Sequence, residues 1–256
     1  MTGVLILGGT AEAVQLAEAC AAIPRFRIMT SLAGRTRAPT RPPGEVRIGG
    51  FGGADGLAQF LRTSTIDRVV DATHPFAVRI GRHAEQACRA LGVPRVRLLR
   101  PPWQRQPADR WIVVEDLAEA ARCLPEHGRR AFLTVGQRDL DAFAGLDQWF
   151  LVRTIERPPA WPLQNGAWLS ARGPFHIEDE IALLREHAID VLVTKASGGD
   201  ATYAKVAAAR ALGLPVIMVR RPPPPPGLVV DSVSAALAWL DHEPPADAGR
   251  PAGRST

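Results

Sequence analysis

Short apolar runs rich in Val, Ile and Leu alternate with alanine-rich segments along most of the chain. Runs that are apolar at every position are typical of strands buried on both faces of a parallel sheet, and the alanine-rich segments are typical of the helices that connect such strands. The pattern predicts strands at residues 4–7, 26–30, 46–48, 68–71, 95–99, 111–114, 131–135, 149–153, 191–194 and 214–219. It predicts helices at residues 11–22, 57–62, 76–91, 117–124, 178–187, 201–212 and 233–240. This alternation predicts an α/β fold.

The composition changes at residues 100–103, which read Arg-Pro-Pro-Trp. Such a change is typical of a domain boundary. We therefore predict a dinucleotide-binding first domain at residues 1–100, a second α/β domain at residues 101–242, and a disordered tail at residues 243–256. Residues 157–168 are rich in Pro and Trp and predict a long irregular loop, and the proline run at residues 222–226 predicts a stiff spacer.

Gly8, Gly9 and Thr10 stand between the first predicted strand and the first helix. A strand, a glycine turn and a helix N-terminus form the phosphate-binding start of a dinucleotide-binding unit. The turn is not a full G-x-G-x-x-G, because the two glycines are adjacent and Ala13 replaces the third. It indicates a cofactor site only together with the features that follow.

The second predicted strand ends in Ser31 and is followed by Gly34, Arg35 and Thr36, with no acidic residue. Sites for NAD usually place a carboxylate there to accept a hydrogen bond from the ribose 2′-hydroxyl. A serine hydroxyl and a guanidinium instead suit a 2′-phosphate, so the segment favours NADPH over NADH. The alternative is a surface loop in an arginine-rich protein.

Two further loops follow predicted strands. Residues 49–53 read Gly-Gly-Phe-Gly-Gly, which indicates either a backbone close to a ligand or a flexible turn. Thr73 and His74 follow the fourth strand, at the sheet edge where ligands of open α/β sheets bind. His74 could contact a cofactor or carry a proton, or its ring could bond a backbone carbonyl and have only a structural role.

The chain has 31 Lys and Arg residues, but its only lysines are Lys195 and Lys205, with its only tyrosine, Tyr203, between them. The segment predicts a strand, a glycine turn at residues 197–199 and a helix capped by Asp200, which together favour an anion site. A surface turn with solvated lysines is the alternative. Tyr203 and Lys205 are two residues apart, so they do not match the i, i+4 pair of short-chain dehydrogenases.

Charge and cysteine usage narrow the function. A net charge of +5 and a pI of about 9.8 favour an anionic partner. The arginines are scattered and no nucleic-acid-reading motif is present, which favours a polyanionic small molecule over nucleic acid. Three isolated cysteines predict buried thiols in a reducing compartment and no metal site. The sequence predicts no membrane span and no signal peptide, hence a cytoplasmic protein.

Seven segments, taken in order, resemble the precorrin-6A reductase family of cobalamin biosynthesis, and the resemblance covers nearly all of residues 4–222. The segments are LGGTAEA from Leu7, SLAGRT from Ser31, GGFGG from Gly49, DATHPFA from Asp71, TVGQRDL from Thr134, ARGPF from Ala171 and VTKASGGDATYAKVAAARALGLPVIMV from Val193. The resemblance implies two Rossmann-like domains with a cofactor cleft between them. It also implies hydride transfer from NADPH to C19 of precorrin-6A, giving precorrin-6B, by an oxidoreductase that acts on a CH–CH bond.

The resemblance also implies site residues. The expected cofactor contacts are Gly8, Gly9, Thr10, Ser31, Gly34, Arg35, Thr73, His74, Ser197 and Gly198. The expected contacts to the anionic tetrapyrrole are Arg138, Arg172, Lys195, Thr202 and Lys205. No catalytic residue is obligatory, although His74 and Tyr203 are candidates. No metal is expected, and the substrate could be handed over by other enzymes of the pathway.

Three alternatives remain. The substrate could be the cobalt-containing equivalent of the anaerobic route, or a smaller anionic molecule reduced with NADPH. The protein could also be a sensor or scaffold that binds NADPH without catalysis. Consumption of NADPH in the presence of precorrin-6A separates the reductase from the scaffold.

Overall fold

A computed structural model describes residues 1–34 and 41–242. The chain divides into two compact units. The first unit comprises residues 1–100 together with the chain from Pro222 onward, and the second comprises residues 101–221. The predicted tail at residues 243–256 and the predicted cofactor contact Arg35 lie outside the described residues.

Each of the ten predicted strands and seven predicted helices is present, and two further strands, at residues 165–170 and 228–230, were not predicted. The strands are β1 (Thr2–Leu7), β2 (Phe26–Leu32), β3 (Glu45–Ile48), β4 (Arg68–Asp71), β5 (Arg95–Leu98), β6 (Arg110–Val114), β7 (Arg130–Thr134), β8 (Trp149–Thr154), β9 (Asn165–Ser170), β10 (Val191–Lys195), β11 (Pro215–Val219) and β12 (Leu228–Val230). The α-helices are α1 (Ala11–Ala21), α2 (Ala54–Thr63), α3 (Val78–Leu91), α4 (Leu117–His127), α5 (Ile177–Glu186), α6 (Ala204–Ala211) and α7 (Val233–Asp241). A 3₁₀ helix spans Gln137–Phe143.

The first unit contains a six-stranded parallel sheet in the order β12-β5-β4-β1-β2-β3. Val4 and Ile6 pack on the face covered by α1 and α7, whereas Leu5 and Leu7 pack on the face covered by α2 and α3. Helices on both faces explain why β1 is apolar at every position from Val4 to Leu7. The strand order reverses between β1 and β4, which is the arrangement of a Rossmann-like fold.

The second unit repeats this architecture with the order β6-β11-β10-β7-β8-β9, again with parallel pairing throughout. Its core includes Phe132, Leu151 and Leu192 from the sheet, and Leu184 and Val206 from the helices that cover it. The reversal of strand order lies between β7 and β10. The predicted α/β fold with two parallel sheets is therefore confirmed.

The placement of residues 222–242 in the second domain is wrong, because this segment belongs to the first unit. Strand β12 pairs with β5, with Leu228 beside Val96. Helix α7 packs on α1, and Arg68 donates hydrogen bonds to the carbonyl oxygens of Trp239 (3.0 Å) and Leu240 (2.8 Å). The segment covers the edge of β5 that would otherwise be unpaired.

The proline run is also not a free spacer, because residues 222–225 line a small pocket together with Pro75, Val78, Arg97 and Leu99.

Two further local predictions need correction. Part of the predicted loop at residues 157–168 is strand, since β9 begins at Asn165. Helix α6 begins at Ala204, and its N-cap position is Tyr203 rather than Asp200. Among the described residues, none of the helices combines the length and apolar character that a membrane span needs.

Candidate functional site

In open α/β sheets, ligands bind beyond the carboxyl ends of the strands, where the strand order reverses. In the first unit this position lies beyond β1 and β4, and in the second unit it lies beyond β7 and β10. The loops at these positions contain most of the residues that the sequence analysis selected.

The Gly8–Thr10 turn is held firmly against the sheet. The amide N–H of Gly8 donates to the carbonyl oxygen of Ser31 (2.9 Å). The Thr10 hydroxyl donates to the carbonyl oxygen of Ala72 (2.8 Å) and accepts from the amide of Ala13 (3.2 Å), so Thr10 caps α1 and ties the turn to the end of β4. The turn therefore lies at the reversal point of the sheet, and its contact with a phosphate stays a prediction.

The two glycines are needed for different reasons. A Cβ atom on Gly8 would lie 3.0 Å from the Thr30 side chain and 3.2 Å from that of Leu32, so the turn approaches β2 closely. Gly9 has a φ of 109°, which strains any other residue, and a Cβ there would meet no heavy atom within 4 Å. The space over Gly9 is thus open to a ligand.

The loop after β4 is organised by a buried ion pair between Asp71 and Arg97, whose side chains are 0% and 3% exposed. Asp71 also accepts hydrogen bonds from the Thr73 hydroxyl (2.7 Å) and the Thr73 amide (3.2 Å). The guanidinium of Arg97 donates further to the carbonyl oxygen of His74 (3.4 Å). The ion pair therefore positions both predicted loop residues, Thr73 and His74.

His74 is half-buried, and its Nδ1 atom accepts a hydrogen bond from the amide of Phe76 (3.3 Å). A neutral ring that accepts at Nδ1 carries its proton at Nε2. The Nδ1 bond gives the ring a structural role within its own loop. A contact of His74 with a cofactor stays a prediction.

A second set of groups lines the space between the Gly8–Thr10 turn and the end of β5. The small pocket there is lined by Thr10, Glu12, Ala72, Thr73, Pro75, Leu98, Leu99 and Arg100. Glu12 lies in the first turn of α1, where its charge would oppose a bound anion. Arg100 neutralises it through hydrogen bonds of 3.0 and 3.2 Å.

The end of β2 lies next to the turn, since Leu7 pairs with Ser31. Ser31 is buried, with 7% of its surface exposed, and Gly34 is exposed with a φ of 68°. Arg35, predicted to bind the 2′-phosphate, lies outside the described residues. The stretch from Ser31 to Gly34 contains no carboxylate that could accept from a ribose 2′-hydroxyl.

In the second unit, Lys195 and Asp139 meet beyond the ends of β10 and β7. The Lys195 ammonium donates to Oδ2 of Asp139 (2.6 Å), which also accepts from the amide of Gly136 (2.8 Å). The side chains of Lys195 and Asp139 are 17% and 24% exposed, so the pair is largely shielded but open at one side. The Lys195 ammonium is therefore held at the reversal point of this sheet.

The loop after Lys195 is fixed by Arg221 and Trp103. Arg221 donates to the carbonyl oxygens of Ala196 (3.1 Å) and Ser197 (2.7 Å). The indole N–H of Trp103 donates to the carbonyl oxygen of Gly199 (2.7 Å). The predicted glycine turn is thus rigidly built rather than a loose surface turn.

Lys205 and Tyr203 have partners inside this unit. Lys205 is 5% exposed, and its ammonium donates to the carbonyl oxygen of Thr202 (2.9 Å) and lies 5.2 Å from the centre of the Trp103 ring. The Tyr203 hydroxyl accepts from Arg210, which also binds Asp109 (2.8 Å). These contacts stabilise the loop from within, and a role of either residue at a reacting atom stays a prediction.

Gly198 offers a stability test of this loop. Its φ is 68°, and a Cβ atom there would overlap the carbonyl oxygen of Pro101. Gly213 has a similar φ of 66° but open space around its Cβ position. We expect Gly213→Ala to lower the free energy of unfolding by about 1 kcal/mol through left-handed strain alone. We expect Gly198→Ala to lower it by at least ~2 kcal/mol because steric overlap adds to the strain. Urea unfolding measures both, and equal losses would contradict the described packing.

The two predicted arginines of the second unit are exposed. Arg138 precedes Asp139 in the 3₁₀ helix, and Arg172 follows β9. A Cβ atom on Gly173, the next residue, would lie 2.8 Å from the carbonyl oxygen of Ala201. The structure therefore brings the Arg172 turn close to the glycine loop, beside Thr202.

Sequence reasoning missed several supporting residues. The sequence did not single out Arg97, Asp139 or the buried ion pair between Arg153 and Glu180. The guanidinium of Arg153 also stacks on the ring of Phe175, 3.8 Å from its centre. The sequence did carry a signal for Arg97 and Arg153, because an arginine inside a buried strand requires a carboxylate partner. The partner itself lies 26 residues from Arg97 and 27 residues from Arg153.

The cysteines do not contribute chemistry at these loops. Burial raises the pKa of the Cys20 thiol to about 11 and that of Cys88 to about 12, so both stay protonated at neutral pH. In the described part of the chain, no cluster of three or more His, Cys, Asp or Glu side chains is placed to hold a metal ion.

Comparison with known proteins places the chain among reductases of this fold. The family model described as "Precorrin-6x reductase CbiJ/CobK" matches residues 3–241. The precorrin-6A reductase of Rhodococcus erythropolis is 54% identical over 242 residues, which cover 94% of this chain and 98% of that protein. A solved structure titled "CobK precorrin-6A reductase" superposes with a TM-score of 0.89 at 41% identity, covering 94% of this chain and 96% of that one. The cobalt-precorrin-6A reductase of Salmonella typhimurium is 29% identical over 235 residues, covering 86% of this chain and 87% of that protein.

Proposed function

The chain belongs to the precorrin-6x reductase family, and we propose that it reduces precorrin-6A to precorrin-6B in cobalamin biosynthesis, with NADPH as the hydride donor and C19 of the macrocycle as the acceptor. The observation that carries this proposal is the Gly8–Thr10 turn at the reversal point of the first sheet. It stands beside a β2 end that lacks a carboxylate.

The residues of the first unit fit a dinucleotide bearing a 2′-phosphate. Gly9 leaves open space over the turn, and the first amides of α1 point along the helix axis toward that space. Ser31 can donate a hydroxyl hydrogen bond, and we assign the 2′-phosphate contact to Arg35, which follows four residues later in the sequence. Glu12 is the unfavourable charge near this site, and Arg100 balances it.

The residues of the second unit fit a polyanionic macrocycle. Arg138 and Arg172 present guanidinium groups at the surface, and Lys195 holds a partly shielded ammonium at the reversal point. NADPH, when bound, supplies the hydride. The role of Lys195 is to stabilise the negative charge that develops in the conjugated ring system as the hydride arrives. Asp139 keeps the ammonium in place through their 2.6 Å contact.

The higher identity to a precorrin-6A reductase than to a cobalt-precorrin-6A reductase favours the metal-free substrate. Purified protein given NADPH and each macrocycle in turn distinguishes the two, through the loss of NADPH absorbance. We expect faster turnover of precorrin-6A. Binding of NADPH and macrocycle without turnover of either would support the scaffold alternative instead.

We expect the protein to bind NADPH about 100-fold more tightly than NADH, because charge-assisted hydrogen bonds to the 2′-phosphate contribute about 3 kcal/mol. Arg35→Ala should reduce this preference at least tenfold while leaving NADH affinity nearly unchanged. Fluorescence titration measures all four affinities, and Arg62→Ala, an exposed arginine on α2, is the charge control. Equal affinity of the wild type for both cofactors would exclude the assignment.

A further inference from the structure

A buried ion pair joins the end of β8 to the first turn of α5. Arg153, the penultimate residue of β8, donates to both carboxylate oxygens of Glu180, and the contact to Oε2 measures 3.0 Å. The two side chains are 6% and 2% exposed, so the contact is closed to water. The guanidinium fork matches the two oxygens and thereby fixes the direction of both side chains. The start of α5 is therefore tied to β8.

The same guanidinium lies against two aromatic rings. Its central carbon is 3.8 Å from the centre of the Phe175 ring and 4.8 Å from the centre of the Phe132 ring. Phe132 is a fully buried residue of β7, whereas Phe175 belongs to the turn between β9 and α5. A desolvated guanidinium is attracted to the faces of aromatic rings. Arg153 thus fastens the turn between β9 and α5 to the core of the sheet.

This turn carries Arg172, and it is fixed on both sides of that residue. On one side, a Cβ atom on Gly173 would lie 3.2 Å from Cε2 of Phe175, so the backbone of the turn packs closely on the ring. On the other side, the amide of Ala171 donates to the carbonyl oxygen of Thr154 (3.2 Å), which extends the pairing of β9 with β8. The exposed side chain of Arg172 therefore starts from a backbone that is held in place.

A buried ion pair is a weak source of stability, because the cost of desolvating two charges offsets much of their attraction. Two apolar side chains would fill the same volume, but they would not fix the direction of Phe175 and α5 as a bidentate contact does. The contribution of the pair is therefore geometric, and the geometry that it fixes is that of the Arg172 turn.

We infer that Arg153, together with Glu180, is a positioning residue that holds Arg172 where it meets a carboxylate of the tetrapyrrole. The inference rests on the proposed function, in which Arg172 contacts the anionic macrocycle. Arg153 is itself buried, and it acts on substrate binding through Phe175 and the turn.

The test uses the double variant Arg153→Met with Glu180→Met, which leaves no unpaired charge buried and keeps the net charge of the chain. It is made in the wild type and in Arg172→Met. The matched control is Arg185→Met with Glu186→Met, two exposed residues in the last turn of α5 whose replacement also keeps the net charge. Fluorescence titration measures the Kd for precorrin-6A without NADPH and the Kd for NADPH without macrocycle, and steady-state kinetics measure kcat.

We expect the double variant to raise the Kd for precorrin-6A about tenfold, as expected when one charge-assisted contact is misplaced. The kcat at saturating substrate and the Kd for NADPH should change less than about threefold, and the control should behave as the wild type. Arg172→Met alone should also raise the Kd about tenfold, and adding the double variant to it should cause no further rise, because both changes remove the same contact. Additive effects would overturn the inference, and so would equal losses of macrocycle and NADPH affinity.

Phe175→Leu decides the question if the double variant does not fold, because it keeps the ion pair and removes only the ring on which the turn packs. It should raise the Kd for precorrin-6A at least about threefold, and again only when Arg172 is present. Wild-type affinity of Phe175→Leu for precorrin-6A, in an enzyme that turns this substrate over, would overturn the inference alone. A wild type that neither binds nor reduces precorrin-6A would overturn the proposed function and the inference with it.

Discussion

Arg97→Met is expected to lower the free energy of unfolding by about 3–5 kcal/mol, because it leaves the Asp71 carboxylate buried without its counter-charge. The two side chains are 3% and 0% exposed, so water cannot replace the lost partner. The same ion pair holds the Thr73 and His74 loop, and its loss should therefore also weaken NADPH binding. The midpoint of urea unfolding and a fluorescence titration with NADPH measure the two effects.

Arg220→Met is the matched control, because the Arg220–Glu115 pair is exposed, with side chains 60% and 69% accessible. Removing an exposed pair should cost less than about 1 kcal/mol. A double variant, Asp71→Asn with Arg97→Met, should recover part of the stability, since no unpaired charge then stays buried. Similar losses for Arg97→Met and Arg220→Met would mean that the Asp71–Arg97 pair is not buried as described.

Lys195→Met is expected to lower kcat/KM for precorrin-6A about 100-fold, which corresponds to the ~3 kcal/mol typical of one lost electrostatic contact to a transition state. The substitution removes the ammonium beyond β10 and keeps a side chain of similar length. NADPH affinity should change by less than about threefold, because the cofactor contacts are assigned to other residues. Steady-state kinetics and NADPH titration separate the two effects.

Asp139→Asn and Arg129→Met complete this test. Asp139→Asn keeps the shape of the 2.6 Å contact but removes the charge that holds the ammonium, so it should reduce kcat more than it raises KM. Arg129 is exposed and precedes β7, at the opposite end of the sheet from Lys195, so Arg129→Met controls for the loss of one positive charge. Full activity of Lys195→Met would remove this lysine from the reaction.

Much of the fold was predictable because its signals are local. The run of apolar residues in β1, the glycines after it and the alanine-rich α1 are adjacent in the chain, and each implies the next. The parallel arrangement followed from strands that are apolar at every position. The Gly8–Thr10 turn and the Lys195 segment were found for the same reason.

The site was only partly predictable because its supporting groups come from distant segments. Arg97 stands in β5 in an alternating Arg-Val-Arg-Leu pattern that also suits an exposed strand. Its burial depends on Asp71, on β4, and on the proline run after residue 221. Likewise, Asp139 became significant only when the pairing of β7 with β10 brought it to Lys195.

The sequence by itself determined ten of the strands and the seven helices in their order, but not β9 or β12. It also determined the glycine turn after β1, the absence of an acid after β2 and the position of the two lysines. These features depend on residues that are neighbours along the chain. Only the tertiary structure decided that residues 222–241 complete the first sheet and that the Lys205 side chain is buried. It also decided that Asp71 pairs with Arg97 and that Asp139 pairs with Lys195. The reason is that strand pairing and burial of charge depend on which edge and which partner are available in space, and no local pattern encodes either.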